Sequence, residues 1–399
     1  MNEMLLKEIS LATWTPGIRR SELQEMLVIA SRPGILSFAL GLPAAELFPV
    51  AEFAEAITGV LANDAQALQY GPPFGPLKSH IVSLMAQRNV ICREEEIFLT
   101  SGAQQGLNLL TRLLLDPGGQ VLIEELAYTG LQQVIEPYHP EILTVSTNPK
   151  TGMDIEAVAA FLAAGARPAF IYTVSEGHNP MAVSLSASKR AALVKLARLY
   201  NVPVIEDDPY GFLCYEDEKV PPMKALSEQY VLYVGSFSKI LAPGVRVGWI
   251  VAPENLMEKL AVLKEASDIN TSTLSQRSVS AYLDGGYLPA HLKMLLLEYR
   301  ARRDAMLGAL RDHFPLGSKY VKPTGGVFIW VQLPETIETS RLLKVALERE
   351  QVAFIPGAAF AIGEVPPANH CMRLNFSNCS ASLIEKGIAR LGRVIKEMP

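Results

Sequence analysis

The chain reads as an α/β protein, with a large lobe on a mostly parallel sheet followed by a smaller α+β lobe. Three observations predict this. Between residues 51 and 285 strand-like and helix-like segments alternate, the pattern of a sheet covered by helices. Two of the strand-like runs, Val202 to Glu206 and Tyr230 to Val234, are apolar almost throughout, as strands buried on both faces are. A chain of 399 residues also exceeds what one hydrophobic core organises, so two lobes are expected.

Taken in order, residues 16 to 40 open with apolar helical spacing at Leu23, Met26, Leu27 and Ala30, which stops at Arg32, Pro33 and Gly34 because proline and glycine end helices. Ile35 to Pro43 is a short strand running into a turn. Ser101 and Gly102 open a helix that reaches Leu115, Val121 to Glu124 and Ala169 to Thr173 are strands, and Ser186 to Tyr200 is a helix with apolar residues at Ala191, Ala192, Val194, Leu196 and Leu199. A long helix from Pro289 to His313 leads into the smaller lobe. That lobe has strands at Gly326 to Gln332 and Met372 to Phe376, with helices at Ser340 to Glu350 and Ala381 to Lys396. The expected divisions are residues 1–50, 51–288 and 289–399.

Composition narrows the function. Hydrophobic residues make up 49% and charged residues 19%, which describes a globular chain with a large buried fraction or a subunit interface. A net charge of −5 offers no basic field for a phosphate backbone, so no nucleic-acid partner is expected. The first ten residues mix acids with apolar groups and carry no signal-peptide pattern, and no apolar run is long enough to span a membrane. A cytoplasmic enzyme without membrane partners is the expectation. Cys92, Cys214, Cys371 and Cys379 are scattered, so neither a disulfide framework nor a metal site is expected.

The most informative stretch runs from Gly235 to Trp249 and reads Gly-Ser-Phe-Ser-Lys-Ile-Leu-Ala-Pro-Gly-Val-Arg-Val-Gly-Trp. A lysine amine is a poor nucleophile while protonated, so chemistry at Lys239 needs a setting that favours the neutral amine or a Schiff base. Ser236 and Ser238 add hydroxyl donors, and Arg246 adds a planar fork of N–H groups suited to a phosphate dianion. A carbonyl cofactor bearing a phosphate satisfies the set, whereas a lone Ser-x-Ser-Lys is as well explained by a solvated turn. Gly102, Ala103 and Gln104 lie at a helix start where small residues let backbone N–H groups approach a phosphate. Asp207 follows a buried apolar strand, and such strands present ligand sites at their carboxyl ends. By itself that acidic loop could equally cap a helix.

The lysine segment resembles that of the class I/II aminotransferases of fold type I, enzymes dependent on pyridoxal 5'-phosphate, whose pattern is Ser-x-Ser-Lys-x-x-x-Pro-Gly-x-Arg-x-Gly. The resemblance runs from about Ser21 to Arg393. It is nearest the aminoadipate/aromatic branch, which also includes kynurenine aminotransferases, through Arg32 to Phe38 and Gly41 to Pro49. It implies a seven-stranded sheet in the large domain and an N-terminal segment packed on the small one. It also implies a homodimer with shared active sites, and transfer of an amino group between an L-amino acid and a 2-oxo acid through a Schiff base on Lys239.

The same resemblance implies individual roles. Asp207 holds a proton on the pyridine nitrogen, while Tyr210 and Asn179 bond the phenolic oxygen. Tyr128 stacks on the ring, and Tyr70 reaches the phosphate across the dimer. Arg373 clamps the substrate α-carboxylate, to which Gly41 offers a backbone N–H, and Gln24 stands where an arginine can bind an acidic substrate tail.

The chain departs from the family at Leu126 (usually Pro), at Met181 and Ala182 (usually Thr-Gly), at Gln24, and in a loop after Tyr70 that is about two residues shorter. These departures cluster around the substrate. His178, beside Asn179, is either an acid/base candidate or a loop residue. The alternative to transamination is another outcome on the same cofactor, namely elimination, cyclisation, decarboxylation or oxidation of an amino acid.

Overall fold

Seven strands lie side by side in the central sheet of the computed structural model, which describes residue 15 and residues 26–29, 32–216 and 219–398. In chain order they are β1 (Ile97–Thr100), β2 (Gln120–Glu124), β3 (Glu141–Val145), β4 (Ile171–Val174), β5 (Val204–Asp207), β6 (Val231–Ser236) and β7 (Gly248–Val251). Their order across the sheet is β1-β7-β6-β5-β4-β2-β3. Every pair is parallel except those made by β7, which runs antiparallel to both β1 and β6.

The reversal has a simple cause. Segment 237–247 is too short for the helical crossover that a parallel neighbour requires. The reversal places Gly248, at the start of β7, opposite both Ser236 and Thr100, at the ends of their strands. Gly235 faces this strand closely: a β-carbon there would lie 2.4 Å from the indole of Trp249, which packs on Phe237.

β4, β5 and β6 are buried along their whole length. Their covers include α1 (Ala103–Leu114) and α2 (Ala187–Tyr200), as the apolar spacing predicts. α3 (Leu288–His313) then leads to a four-stranded antiparallel sheet of β8 (Lys319–Tyr320), β9 (Phe328–Gln332), β10 (Ile355–Pro356) and β11 (Cys371–Asn375), in the order β8-β9-β11-β10. α4 (Thr339–Glu350) and α5 (Ala381–Glu397) pack with it, α5 also lying against α3. The two-residue strand Leu36–Ser37 pairs in parallel with Val352–Ala353 in a small sheet of their own, which ties this segment to the connection between α4 and β10.

From Ser101 onward the elements expected from the sequence are present, with ends shifted by one or two residues, and the strand expected from Ile35 is the two-residue Leu36–Ser37. β1, β3 and β7 are not among the strands expected from the sequence, and β3 is a half-exposed edge. Of the first apolar helical pattern, Met26 to Ile29 are helical, and Leu23, Gln24 and Ala30 lie outside the described residues. Among the described residues no helix is long and apolar enough to cross a membrane.

Candidate active site

The carboxyl ends of β4, β5 and β6 and the N-terminus of α1 meet at a cavity of ≈ 290 Å³. This is where open α/β sheets bind ligands. Lys239, Ser236, Ser238, Arg246, Asp207, Tyr210, Asn179, Tyr128, Ala103, Gln104, Gly41 and Arg373 all line it. Residues that are far apart in sequence are thus brought to one place.

Lys239 leaves β6 in a single turn. The Ser236 hydroxyl caps that turn by accepting the Ser238 N–H at 3.1 Å, and it donates to the Ser238 hydroxyl at 2.9 Å. The Lys239 amine donates to the Gly41 carbonyl at 2.6 Å. Burial, then the nearby Arg373 and Arg246, lowers its pKa from 10.5 to about 8, so a neutral amine is accessible near neutral pH. The expected contact of Gly41 with a substrate carboxylate is through its N–H, whereas the contact seen here is through its carbonyl.

One end of the cavity forms around the start of α1. Gly102 precedes the helix with φ +90, and a β-carbon there would lie 2.4 Å from Arg246 Nη2. Only glycine permits both the backbone angle and the approach of that guanidinium. Arg246 itself has φ 53 and is held by Ser101 O at 2.9 Å and Pro243 O at 3.3 Å. The Tyr128 hydroxyl donates to Gln104 Oε1 at 3.1 Å, and Gln104 in turn donates to Gly130 O at 2.8 Å. Leu126, in place of the usual proline, bridges to Ala361 and still leaves Tyr128 on the cavity wall.

At the opposite side Asp207 is buried, and its Oδ2 accepts from the Tyr172 hydroxyl at 2.8 Å. Its Oδ1 has no hydrogen-bond partner among the described residues. Burial, opposed by the Tyr172 bond and assisted by Asp208, raises its pKa to about 7. A buried carboxylate oxygen with nothing to bond, on the wall of a cavity, calls for a donor from a ligand. A protonated ring nitrogen supplies one.

Arg373 is fixed by Asn179 Oδ1 at 2.6 Å and Ala39 O at 2.7 Å, and it lies between the rings of Phe328 and Phe360, 4.0 and 4.7 Å from their centroids. Burial lowers its pKa to about 10, against the pull of Tyr210 and Tyr128. The donor set therefore fits pyridoxal phosphate: an arginine and a helix start for its phosphate, a carboxylate for its ring nitrogen, an amine for its carbonyl, and a second arginine for a substrate carboxylate.

Among the described residues Tyr70 stands apart from the others. Tyr70 is 79% exposed and does not line the cavity of its own chain. Gln24 lies outside the described residues. His178 is buried behind Asn179 and does not line the cavity either. Tyr172, Phe328 and Phe360 complete the site without an earlier signal, although a hydroxyl in the apolar run of β4 marks Tyr172 as a residue with a bond to make.

Comparison with known proteins agrees with this geometry. The family model "Aminotransferase class I and II" matches residues 38–391. An aromatic-amino-acid aminotransferase of Thermococcus litoralis is 38% identical over 390 residues, covering 96% of this chain and 93% of that one. The α-aminoadipate aminotransferase of Thermus thermophilus, solved with N-(5'-phosphopyridoxyl)-L-leucine, superposes with a TM-score of 0.90 at 34% identity over 97% of each chain. The kynurenine aminotransferase of Pyrococcus horikoshii, solved with PMP, gives 0.89 at 35% over 97% of each chain. By motif, fold and overall similarity, this chain belongs to the class I and II aminotransferases, pyridoxal-phosphate enzymes of fold type I that move an amino group between an amino acid and a 2-oxo acid.

Proposed function

We propose that this aminotransferase takes amino acids with apolar side chains, aromatic or branched aliphatic, as donors. The observation that carries the reading is the composition of the cavity wall. Among the described residues its cations are Lys239, Arg246 and Arg373, and beside them stand Leu27, Leu40, Leu42, Val174 and Phe328. Once an arginine is assigned to each of the phosphate and the α-carboxylate, no described cation remains for an acidic side chain. The names of the relatives, which include aromatic, kynurenine and aminoadipate aminotransferases, support the aromatic part of this range.

Pyridoxal phosphate, when bound, supplies the carbonyl that accepts the amino group and the ring that acidifies the donor α-carbon. The residues do the rest. Arg246, with Gly102, Ala103, Gln104, Ser236 and Ser238, would hold the phosphate, and Tyr128 would lie against the ring. Asp207 would keep a proton on the ring nitrogen. Tyr210 and Asn179 would bond the phenolic oxygen, and Arg373 would orient the substrate by its carboxylate. Lys239, neutral above about pH 8, would hold the cofactor and move the proton at the α-carbon.

A charged side chain placed on that wall loses its water without gaining a partner among the described residues, so phenylalanine or leucine is expected to exceed glutamate in kcat/KM by roughly 10²-fold. Initial rates with each donor and one common 2-oxo acid check this. Equal values for glutamate would overturn the apolar assignment. Elimination, cyclisation, decarboxylation or oxidation of an amino acid on the same cofactor is not favoured by the relatives.

Dimerisation belongs to the same proposal. Tyr70 and Leu68 are 79% and 73% exposed at a groove shared with Asn270 to Leu274, a surface suited to a second copy that would receive Tyr70 at its phosphate site. Light scattering is expected to give twice the chain mass, and Tyr70→Ala to weaken cofactor retention. A fully active monomer would remove both expectations. The division into a large domain at 51–288 and a small one at 289–399, with the first 50 residues on the small one, and a cytoplasmic location complete the proposal.

A further inference from the structure

Behind the cavity wall lies a buried pair that none of these roles uses. Glu124, at the end of β2, and His178 are each 2% exposed, with Glu124 Oε2 3.1 Å from His178 Nε2. The Thr147 hydroxyl donates to Oε1 at 2.7 Å and the Thr173 hydroxyl to Oε2 at 2.9 Å. Burial opposes ionisation of Glu124, but the histidine and the two hydroxyls outweigh it and hold the carboxyl below its usual range. The other ring nitrogen, Nδ1, accepts the Met181 N–H at 3.2 Å. Both nitrogens are therefore committed, Nε2–H to the carboxylate and the Nδ1 lone pair to the backbone. Acid/base work on a substrate is closed to this ring.

The turn that His178 fastens is one that needs fastening. Ala182 has φ 58, a left-handed angle that an alanine adopts only against a steric penalty, and it stands where the resembling pattern has glycine. The same turn carries Asn179, whose Oδ1 meets Arg373 Nη1 at 2.6 Å. One rigid path thus runs from the end of β2, through the histidine and the turn, to the second arginine.

We propose that Glu124 and His178 are positioning residues for the substrate carboxylate: the pair pins the 178–182 turn to the end of β2 and thereby fixes Asn179 against Arg373. The inference rests on the assignment of Arg373 as the carboxylate clamp.

The test uses the cofactor-loaded full chain. In His178→Gln the side-chain amide still reaches Glu124 but offers Met181 no acceptor in place, and in Glu124→Gln the anchor loses its charge. Both are expected to raise the donor KM by about 10-fold with kcat within about 3-fold, the pattern of binding lost equally from the ground and transition states. The dissociation constant of 3-phenylpropionate, a carboxylate with no amino group, is expected to rise in parallel. In an Arg373→Lys background His178→Gln should add almost nothing, because the path is already cut.

An unchanged KM, a fall confined to kcat, or additive effects in the double variant would overturn the proposal. So would failure of both variants to fold, since a pair that only fixes one turn is dispensable to the core. An unchanged KM in Arg373→Lys alone would defeat the clamp assignment itself, and the pair's role with it.

Discussion

Replacing Lys239 with alanine is expected to lower kcat by at least about 10⁴-fold, the upper range of what one positioned acid/base group contributes, with the covalent hold on the cofactor lost as well. No other described lysine lines the cavity. The protein should still bind the cofactor through Arg246 and the start of α1, but borohydride reduction should leave no adduct at position 239. The wild-type chain supplies the matching pH test. Its free amine titrates at about 8, and the neutral form is the nucleophile, so uptake of pyridoxal phosphate should accelerate as pH rises through that value and then level. A midpoint near the ordinary 10.5 would mean that burial does not govern this amine. Retention of more than about 1% of kcat by Lys239→Ala would remove it from proton transfer.

Asp207→Asn is expected to lower kcat by about 10²–10³-fold while leaving the Tyr172 bond possible, because an amide cannot hold a proton on the ring nitrogen as an anion does. In the cofactor-free protein the effect on stability has the opposite sense. With its pKa raised from 3.8 to about 7, the buried carboxyl keeps a proton that the unfolded chain has already released. Its contribution to stability is complete below 3.8 and is lost as pH rises through about 7. The asparagine variant does not ionise, so its urea midpoint should vary less across that window and exceed the wild-type value at pH 7.5. A wild-type midpoint that climbs between pH 4 and 7 in step with the variant's would show that Asp207 is ionised without its ligand.

Much of the cofactor site is legible in the sequence because its parts are local. Lys239 and Arg246 share one connection, Asp207 and Tyr210 share one strand end, and Gly102 to Gln104 are one helix start. Residue type and short spacing carry that information. The substrate side is assembled by tertiary contact instead. Arg373 owes its setting to Phe328 on β9 and to Phe360, and Asn179 meets it from the turn after β4, pairings that no periodicity announces. His178 illustrates the same limit. Its place beside Asn179 suggests acid/base chemistry, and only the burial of Glu124 next to it reveals a fastener. Tyr70 is legible as a residue type, yet its surroundings within one chain are solvent.

The backward course of β7 has a further consequence. Because that strand returns directly from β6, the amine at 239 and the guanidinium at 246 sit on one tight loop whose two ends are stapled to adjacent strands. With the proposed roles of Lys239 and Arg246, one ligand would be held at its carbonyl and at its phosphate by this single loop, so the separation of the two side chains would limit the length of that ligand. Analogues of pyridoxal phosphate one methylene longer or shorter between carbonyl and phosphate should be taken up more weakly, however well their separate ends would bind.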